Sequence, residues 1–236
     1  MGGYSKHRFV VSGPYTVGSR VVLPPNEARH AYQVLRLRPG DTVGLIDGNG
    51  HACTGILEHD SVYIQALVPN AEPCVCVTLF QGIPKGDKMD SIVQKCVELG
   101  VFEIQPVVFS RCITQETRTA RWQRIAIEAA KQCGRARIPQ IKESIPFDVL
   151  LDLLPCVEQT YVCWEYAEAG GFKTMPRTAG LVIGPEGGIT AEEFFSLTNA
   201  GTQPLSLGPR ILRTETAGPT ALAIALFAWG ELGCRP

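Results

Sequence analysis

The stretch that decides the fold is Leu181-Val182-Ile183-Gly184-Pro185-Glu186-Gly187-Gly188-Ile189-Thr190. Its apolar first residues predict a buried strand, and the glycines that follow let the backbone take unusual dihedral angles close to a ligand. Thr190 and Glu193 form a capping-box pattern, which predicts a helix over residues 190–199. A further strand is expected over residues 203–207. Strands and helices that alternate in this way are typical of an α/β fold with a parallel sheet covered on both faces.

A second long loop follows that strand and leads into the last helix. Residues 205–217 place Arg210, Arg213 and Glu215 beside a helix start. Arginine is unfavourable there because the N-terminal end of a helix carries partial positive charge, which indicates a functional role. Ligands bind at the carboxyl ends of strands in open α/β sheets, so both loops are candidates. The residues alone fit either a ligand cradle or a tight turn, and neither loop carries a Walker A, G-x-G-x-x-G or G-x-S-x-G motif.

The N-terminal part of the chain has the pattern of a small β-barrel. Short strands alternate with turns, and one helix is expected over residues 25–35. Asp47-Gly48-Asn49-Gly50 predicts a hairpin, because Gly and Asn accept positive φ. The composition shifts to Pro, Asn and Ala near residues 69–73, which separates a first domain, residues 1–72, from a second, residues 73–236. Further strands are expected over residues 75–81, 104–109, 160–164 and 180–183, and helices over residues 87–99, 119–133 and 216–232.

Composition excludes several classes of protein. The chain has 236 residues, 45% hydrophobic and 19% charged, as in an ordinary globular protein. Its nine cysteines include no C-x-x-C pair and its four histidines all lie in the first quarter, so no metal site is predicted. This pattern indicates reduced thiols in a cytoplasmic protein. No signal peptide is expected in residues 1–12, and the longest uncharged stretch, residues 216–230, is too short to span a membrane.

Positive charge is concentrated in one part of a chain whose net charge is −1. Residues 111–137 hold seven positive and two negative side chains. Arg29, His30, Arg36 and Arg38 form a second, smaller cluster. Such stripes can neutralise phosphate groups and attract nucleic acid, although a solvated helix face fits the charge pattern as well.

Five stretches of the sequence together indicate a protein family more specifically than any one of them does alone. They are residues 29–41, residues 82–90 continuing through 98–101, residues 128–135, residues 183–188 and residues 206–217. In content and order they resemble the ribosomal RNA small subunit methyltransferase E family, which has a SPOUT-type fold. The chain departs from the family at Ile189, usually aromatic, at Cys133, commonly Ser, and at Gly218-Pro219, in a helix usually rich in Ala and Leu. Pro219 is expected in the first turn of that helix, where its missing N–H costs little.

The resemblance implies a PUA-like β-barrel that binds RNA, followed by a SPOUT domain whose last part is threaded into a trefoil knot. The knot forms the pocket for S-adenosyl-L-methionine, and the family works as a homodimer with this pocket near the interface. Backbone groups and apolar side chains of the two loops are expected to hold the cofactor. The expected cofactor-binding residues are Leu181, Ile183, Gly184, Gly187, Ser206, Leu207, Gly208, Ile211, Leu212, Thr216 and Ala217.

The implied reaction is methylation of N3 of a specific uridine in the decoding region of 16S rRNA, in the 30S subunit. Arg213 or Arg210 is expected to stabilise negative charge on the base. Glu186 or Glu215 is expected to act as the base or to orient an arginine. Alternatively, Glu186 is a hydrogen-bond acceptor inside its loop and Arg210 a phosphate contact. Phosphate contacts are expected from Arg8, Arg29, Arg36, Arg38, Lys85, Lys88, Arg111, Arg121 and Arg135.

Two other functions stay open at this stage. A methyltransferase of the same fold could act on another RNA, since the two loops do not identify the substrate. A ribosome-assembly factor could bind RNA without catalysis, although the intact glycine loop and the intact stretch of residues 210–216 disfavour this alternative.

Overall fold

The computed structural model describes residues 6–69, 71–113, 117–167 and 170–233. The chain forms two compact units. The first runs to Glu72 and takes in Ile127–Ile138, and the second contains Pro73–Ala126 and the chain from Pro139 onward. The second half of one long helix therefore groups with the N-terminal unit, which a boundary drawn at a single point of the sequence does not anticipate.

The first unit is built on one five-stranded sheet. Its strands are β1 (Arg8–Val10), β2 (Arg20–Val22), β3 (Thr42–Ile46), β4 (Ala52–Leu57) and β5 (Ser61–Val68). They lie in the order β1-β3-β4-β5-β2, with β1 parallel to β3 and the other neighbours antiparallel. Among the residues that the structure describes, β1 and β2 do not pair, so the predicted barrel takes the form of an open half-barrel.

Alternation of buried and half-buried residues along β4 places one face of this sheet on a core that includes Phe9, Leu45 and Leu57. The expected helix begins at Pro25 as α1 (Pro25–Arg29) and continues as a π-helical turn, His30–Val34.

The hairpin predicted from Asp47-Gly48-Asn49-Gly50 is present. Gly48 and Gly50 have φ of 80° and 112°. The Asp47 carboxylate accepts hydrogen bonds from the backbone N–H groups of Asn49 at 2.8 Å and His51 at 3.0 Å. Burial alone would raise the pKa of Asp47, but these N–H groups and the His51 side chain hold it below its usual value.

The second unit contains a seven-stranded sheet in which every pairing is parallel. Its strands are β6 (Cys76–Gly82), β7 (Glu103–Val108), β8 (Gln140–Ile141), β9 (Ile145–Pro146), β10 (Gln159–Cys163), β11 (Thr178–Ile183) and β12 (Gln203–Leu205). The order is β12-β10-β11-β6-β7-β8, and β9 also pairs with β7. The predicted parallel α/β sheet is confirmed. Because neighbouring strands run in one direction, the loops after β12, β10, β11 and β6 leave from the same edge.

The remaining helices are α2 (Lys88–Leu99), α3 (Thr119–Cys133), α4 (Phe147–Leu153), α5 (Ala191–Asn199) and α6 (Thr214–Ala228). The predicted bounds of α3 are confirmed, as is the capping box of α5. In that box the Thr190 hydroxyl accepts from Glu193 N–H at 3.1 Å, and the Glu193 carboxylate accepts from Thr190 N–H at 2.9 Å. The sequence analysis did not anticipate β8, β9 or α4. The two strands have only two residues each, too few to show a period.

The start of α6 differs from the prediction. The helix begins at Thr214, two positions earlier than residue 216, so Pro219 lies inside it rather than in its first turn. Pro219 has no N–H to donate to the carbonyl four residues earlier, and that carbonyl belongs to Glu215. At the neighbouring position 218, a glycine avoids a steric clash, since a Cβ there would lie 2.9 Å from Gln81 Oε1.

Two features that the sequence predicts to be absent are a metal site and a membrane-spanning helix. Among the described residues, no group of three or more His, Cys, Asp or Glu side chains could hold a metal ion. Within the same residues, no helix is long and apolar enough to cross a membrane. The trefoil knot stays a prediction.

Candidate functional site

A cavity of about 710 Å³ lies at the carboxyl edge of the second unit's sheet. Three loops line it. They follow β10, β11 and β12, which are neighbours in the sheet, and Lys88 at the start of α2 completes the wall. The cavity has the size of a small-molecule site, and it occupies the edge where parallel sheets bind ligands.

The structure brings most of the predicted cofactor residues to this cavity. Ile183, Gly184, Ser206, Leu207, Gly208, Ile211, Leu212 and Ala217 all line it. Three others do not. Leu181 is fully buried within β11, Gly187 lies against the Arg111 side chain, and Thr216 is exposed in the first turn of α6. The predicted residues that line the cavity therefore come from the two loops and the residues directly beside them rather than from the strand interior.

All four predicted catalytic residues, Arg210, Arg213, Glu186 and Glu215, also line the cavity. Arg210 and Arg213 are exposed, and Arg213 is the N-cap residue of α6. Their guanidinium groups can therefore reach a charged ligand without first losing a buried partner. The two carboxylates have different surroundings, described below.

A buried hydrogen-bond chain fixes the loops to one another. The Thr214 hydroxyl donates to the carbonyl oxygen of Gly184 at 2.7 Å and accepts from Gln81 Nε2 at 2.9 Å. Gln81 is fully buried near the end of β6. The chain thus joins β6, the glycine loop and the first residue of α6. Gln81 was missed by the sequence analysis, although a lone amide in an apolar strand is the available signal.

Glycine at two positions lets the loop pack tightly. A Cβ on Gly82 would lie 2.5 Å from Pro185 N, and a Cβ on Gly184 would lie 2.8 Å from Ile189 Cγ1. The close approach of β6 to the loop after β11 therefore requires glycine at residue 82.

Glu186 is a well-satisfied carboxylate. It accepts from Lys85 N–H at 3.0 Å and from Lys88 Nζ at 2.8 Å. Burial alone would raise its pKa, but the hydrogen bond from Lys88 and those from backbone N–H groups hold the pKa of Glu186 below its usual value. Glu186 is thus a hydrogen-bond acceptor, as in the alternative role, but the donors Lys85 and Lys88 lie outside its own loop.

Glu215 has a different environment. It lies in the first turn of α6, where the helix dipole favours a negative charge. Its Oε2 is 3.9 Å from Lys88 Nζ and, among the described residues, has no hydrogen-bond partner. Glu215 therefore keeps acceptor capacity that Glu186 has already used.

The loop after β10 supplies lining residues that the sequence analysis missed. Cys163, Trp164, Glu165 and Ala167 all border the cavity. The Trp164 ring stacks on Phe194 with centroids 3.8 Å apart, and burial raises the pKa of the Cys163 thiol to about 12. These residues lie at the end of the strand predicted over residues 160–164 and directly after it. Only the strand order shows that this end lies between β11 and β12.

The predicted phosphate-binding residues of the first unit fall into two groups. Arg29, Arg36 and Arg38 have exposed side chains. Arg8 instead donates to the carbonyl oxygens of Lys131 at 2.9 Å and Gln132 at 3.3 Å, at the end of α3. Arg135 is largely buried and pairs with Glu72 at 2.6 Å.

Most of the predicted phosphate-binding residues of the second unit already contact other protein groups. Lys85 is exposed, whereas Lys88 lies in the cavity wall. Arg111 donates to the Gly187 carbonyl oxygen at 2.9 Å, and Arg121 pairs with Asp90 and Asp87.

The basic stretch of residues 111–137 is thus largely neutralised by acidic residues from elsewhere in the chain. Arg118 and Arg121 pair with Asp87 and Asp90 of the second unit. Within the first unit, Lys131 pairs with Glu27 and Arg135 with Glu72. A count of charges along the chain does not include these partners, so it overstates the positive charge of the surface.

Comparisons with known proteins agree with this architecture. The RNA methyltransferase domain family matches residues 70–226, and the RNA methyltransferase PUA domain family matches residues 23–67. Ribosomal RNA small subunit methyltransferase E of Synechocystis is 31% identical over 230 residues, which cover 92% of this chain and 76% of that protein.

Two solved structures are also similar. Ribosomal RNA small subunit methyltransferase E from Neisseria gonorrhoeae, bound to S-adenosyl methionine, is 37% identical with a TM-score of 0.88, over 95% of this chain and 98% of that one. A Legionella pneumophila protein in complex with the same cofactor is 31% identical with a TM-score of 0.84, over the same shares.

The matches to the RNA methyltransferase domain and its PUA domain, together with a parallel α/β sheet that has a loop-lined cavity at its carboxyl edge, identify a SPOUT-type RNA methyltransferase. Each alignment with the two solved structures covers nearly all of this chain and of the related protein, so the similarity extends beyond one domain. The chain belongs to the ribosomal RNA small subunit methyltransferase E family.

Proposed function

We propose that this protein uses S-adenosyl-L-methionine to methylate N3 of a specific uridine in the decoding region of 16S rRNA, within the 30S subunit. The observation that carries the proposal is the cavity at the carboxyl edge of the sheet, which gathers eight of the predicted cofactor residues and all four predicted catalytic residues. The related Neisseria protein, bound to this cofactor, supports the choice of methyl donor.

The lining residues fit S-adenosylmethionine. Ile183, Leu205 and Leu207 offer apolar surface for the adenine ring. Gly184 and Gly208 bring backbone N–H and C=O groups to the wall, and these groups can hydrogen-bond the polar edges of the cofactor. When bound, the cofactor supplies an electrophilic methyl group on a positively charged sulfur.

The protein has three tasks in this reaction. It must hold uridine N3 in line with the methyl group, accept the N3 proton, and stabilise negative charge on the base. The exposed guanidinium groups of Arg210 and Arg213 border the cavity, and we assign them the third task. Glu215 and Glu186 are the available carboxylates for the second task.

The RNA is proposed to contact exposed cations of each unit. On the first unit these are Arg29, Arg36 and Arg38, and on the second Lys85. Arg8 and Arg135 are removed from this set, because their guanidinium groups already bind a helix end and a buried carboxylate.

The protein is proposed to act as a homodimer. The α6 helix is apolar around most of its circumference, and Ile224 and Phe227 are 41% and 66% exposed on its outer side. A helix that is apolar on all sides is typical of one that is fully covered. A second copy of this chain is the proposed cover. The cytoplasm is the proposed location, since scattered cysteines without C-x-x-C spacing indicate reduced thiols.

Methyl transfer from labelled S-adenosylmethionine to 30S subunits that lack their native methylations tests the proposal. Mass spectrometry should locate the label on N3 of one decoding-region uridine. Label on another nucleotide or another RNA would keep the fold and cavity but overturn the target. Cofactor binding by calorimetry without any transfer would favour the assembly-factor alternative, and no cofactor binding at all would contradict the site itself.

A further inference from the structure

Lys88 lies between the two carboxylates of the cavity. Its Nζ is 2.8 Å from Glu186 Oε1 and 3.9 Å from Glu215 Oε2. The three side chains come from three separate elements: the first residue of α2, the loop after β11 and the first turn of α6. All three line the same cavity. The fold thus brings one cation and two carboxylates from distant parts of the chain together in the wall of the proposed reaction site.

The two carboxylates differ in the number of donors they already bind. Glu186 accepts from the Lys85 N–H and from the Lys88 ammonium. Glu215 Oε2 has no hydrogen-bond partner among the described residues. Glu215 therefore has a buried oxygen with no donor to lose before it accepts a proton, in the wall of the cavity, while Glu186 serves to hold Lys88 in place.

We propose that Lys88 is a positioning residue of the reaction site, which orients Glu215 to accept the N3 proton of the target uridine. This inference rests on the proposed function. The N3–H bond breaks and its proton passes to the Glu215 carboxylate. The electron pair left on N3 forms the new N–C bond to the methyl group. The bond between that methyl group and sulfur breaks, its electron pair stays on sulfur, and S-adenosylhomocysteine is released.

The alternative role for Lys88 is a phosphate contact. Its ammonium already has two carboxylate partners, and its side chain is only 34% exposed. Lys85, three residues earlier, offers the contrast. It is exposed, and its side chain makes no ion pair within the described part of the chain. A phosphate would have to compete with Glu186 and Glu215 for the Lys88 ammonium, whereas Lys85 can bind one directly.

Other charged groups around the cavity affect the pH dependence. Glu165, Arg210 and Arg213 line the same walls, and the Cys163 thiol stays neutral because burial raises its pKa to about 12. Beside Lys88 on the α2 side, Asp87 and Asp90 pair with Arg118 and Arg121. All of these groups are unchanged in Lys88 variants, so a shifted pH profile reports on the Lys88 charge itself.

The test compares Lys88→Met, Lys88→Arg and Lys85→Met in the full-length protein. In Lys88→Met, we expect kcat near neutral pH to fall about tenfold or more. This is less than the loss of an acid–base group itself, about 100- to 10,000-fold, because Lys88 acts through Glu215. The acid limb of its pH–kcat profile should move to higher pH, because the proton-accepting carboxylate loses the neighbouring positive charge that favours its ionised form. Lys88→Arg should restore most of kcat, since it keeps the charge.

Direct binding of 30S subunits at several salt concentrations separates the two roles. Lys85→Met should reduce the slope of log K against log salt by about 1, as the loss of one phosphate contact requires. Lys88→Met should leave that slope unchanged and should bind S-adenosylmethionine normally by calorimetry. Unaltered thermal unfolding would show that each variant folds.

Three outcomes would overturn the assignment. Lys88→Met could behave as Lys85→Met does, which would make Lys88 a phosphate contact. Lys88→Met could keep the wild-type pH profile, which would leave Lys88 only a structural role. Lys88→Arg could fail to restore kcat, which would lead to the same conclusion. Failure of the proposed function is distinguishable, because it would appear in the wild-type protein as missing or misplaced label.

Discussion

Single residues determine how closely the loops of the cavity can pack, and Gly82 is the sharpest example. A Cβ at this position would lie 2.5 Å from the backbone nitrogen of Pro185. Gly82→Ala should push the glycine loop outward and weaken S-adenosylmethionine binding at least tenfold, a loss of about 1.4 kcal/mol. Calorimetric titration measures this. The matched control is Gly171→Ala, where a Cβ meets nothing within 4 Å. Equal affinity in the two variants would contradict the steric argument.

The ionised Glu186 should make stability depend on pH. Its folded-state pKa is lowered chiefly by Lys88 and backbone N–H groups acting against burial. A lowered folded pKa contributes stability above the unfolded value, about 4.3, and the contribution is lost as pH falls through the folded value. The difference in unfolding free energy between the wild type and Glu186→Gln should therefore be constant from about pH 7 to 5 and shrink below about pH 4. Urea unfolding across this range checks it, and a pH-independent difference would count against an ionised Glu186.

At the scale of the element, α6 combines two functions along its length. Its first turn faces the cavity with Thr214 and Glu215, and its later turns leave Ile224 and Phe227 exposed. Gly218 and Pro219 lie between them, and the glycine allows close contact with Gln81 of β6. The helix therefore links the proposed reaction site to the proposed dimer surface within one rigid segment.

Phe227→Asp should convert the proposed homodimer into monomers. A charge on an apolar face that a second copy covers would have to be buried unpaired, which costs several kcal/mol. Sedimentation velocity measures the change in mass. Phe195→Asp is the control, because Phe195 is 65% exposed on the amphipathic α5 helix. A wild-type protein that is already monomeric would exclude the proposed dimer. A Phe227→Asp variant that stays dimeric would place the interface elsewhere.

At the scale of the whole molecule, the distribution of ion pairs changes the interpretation of the basic stretch. In the first unit, Glu72 accepts from Arg135 at 2.6 Å and from Arg137 N–H at 3.0 Å, and the side chains of Arg135 and Glu72 are nearly buried. This network fixes residues 127–138 to the half-barrel with which they form one unit. Its role is to hold the fold together rather than to present charge.

Arg135→Ala should therefore reduce stability more than RNA affinity. Removing one partner of a buried pair leaves the Glu72 charge uncompensated, which costs about 3–5 kcal/mol. Chemical denaturation measures the loss. Arg124→Ala is the control from the same stretch, since Arg124 is exposed and, within the described part of the chain, donates only to a backbone carbonyl of its own helix. A stable Arg135→Ala protein with weakened 30S binding would restore the phosphate role.

The sequence alone determined the local structure and the position of the site. Periodicity identified most strands and helices, and the capping box of α5 follows from Thr190 and Glu193 alone, because such signals depend on residues three or four positions apart. The residue types of the glycine loop and residues 205–217 made both loops candidates but fitted a ligand cradle or a tight turn, and the resemblance to the methyltransferase family favoured the cradle. The parts that the sequence did not reveal all depend on contacts between distant segments.

Tertiary structure decided which loops meet and which charges are paired. Strand order places the end of β10 between β11 and β12, so Trp164 and Glu165 join the cavity, and no local pattern marks them. Lys88 was expected on the RNA and lies instead between two carboxylates, one 98 residues away in sequence. Electrostatic energy depends on distance in space, and chain order does not fix that distance. The sequence therefore predicted the site's loops, whereas the folded sheet determined the partners of its charges.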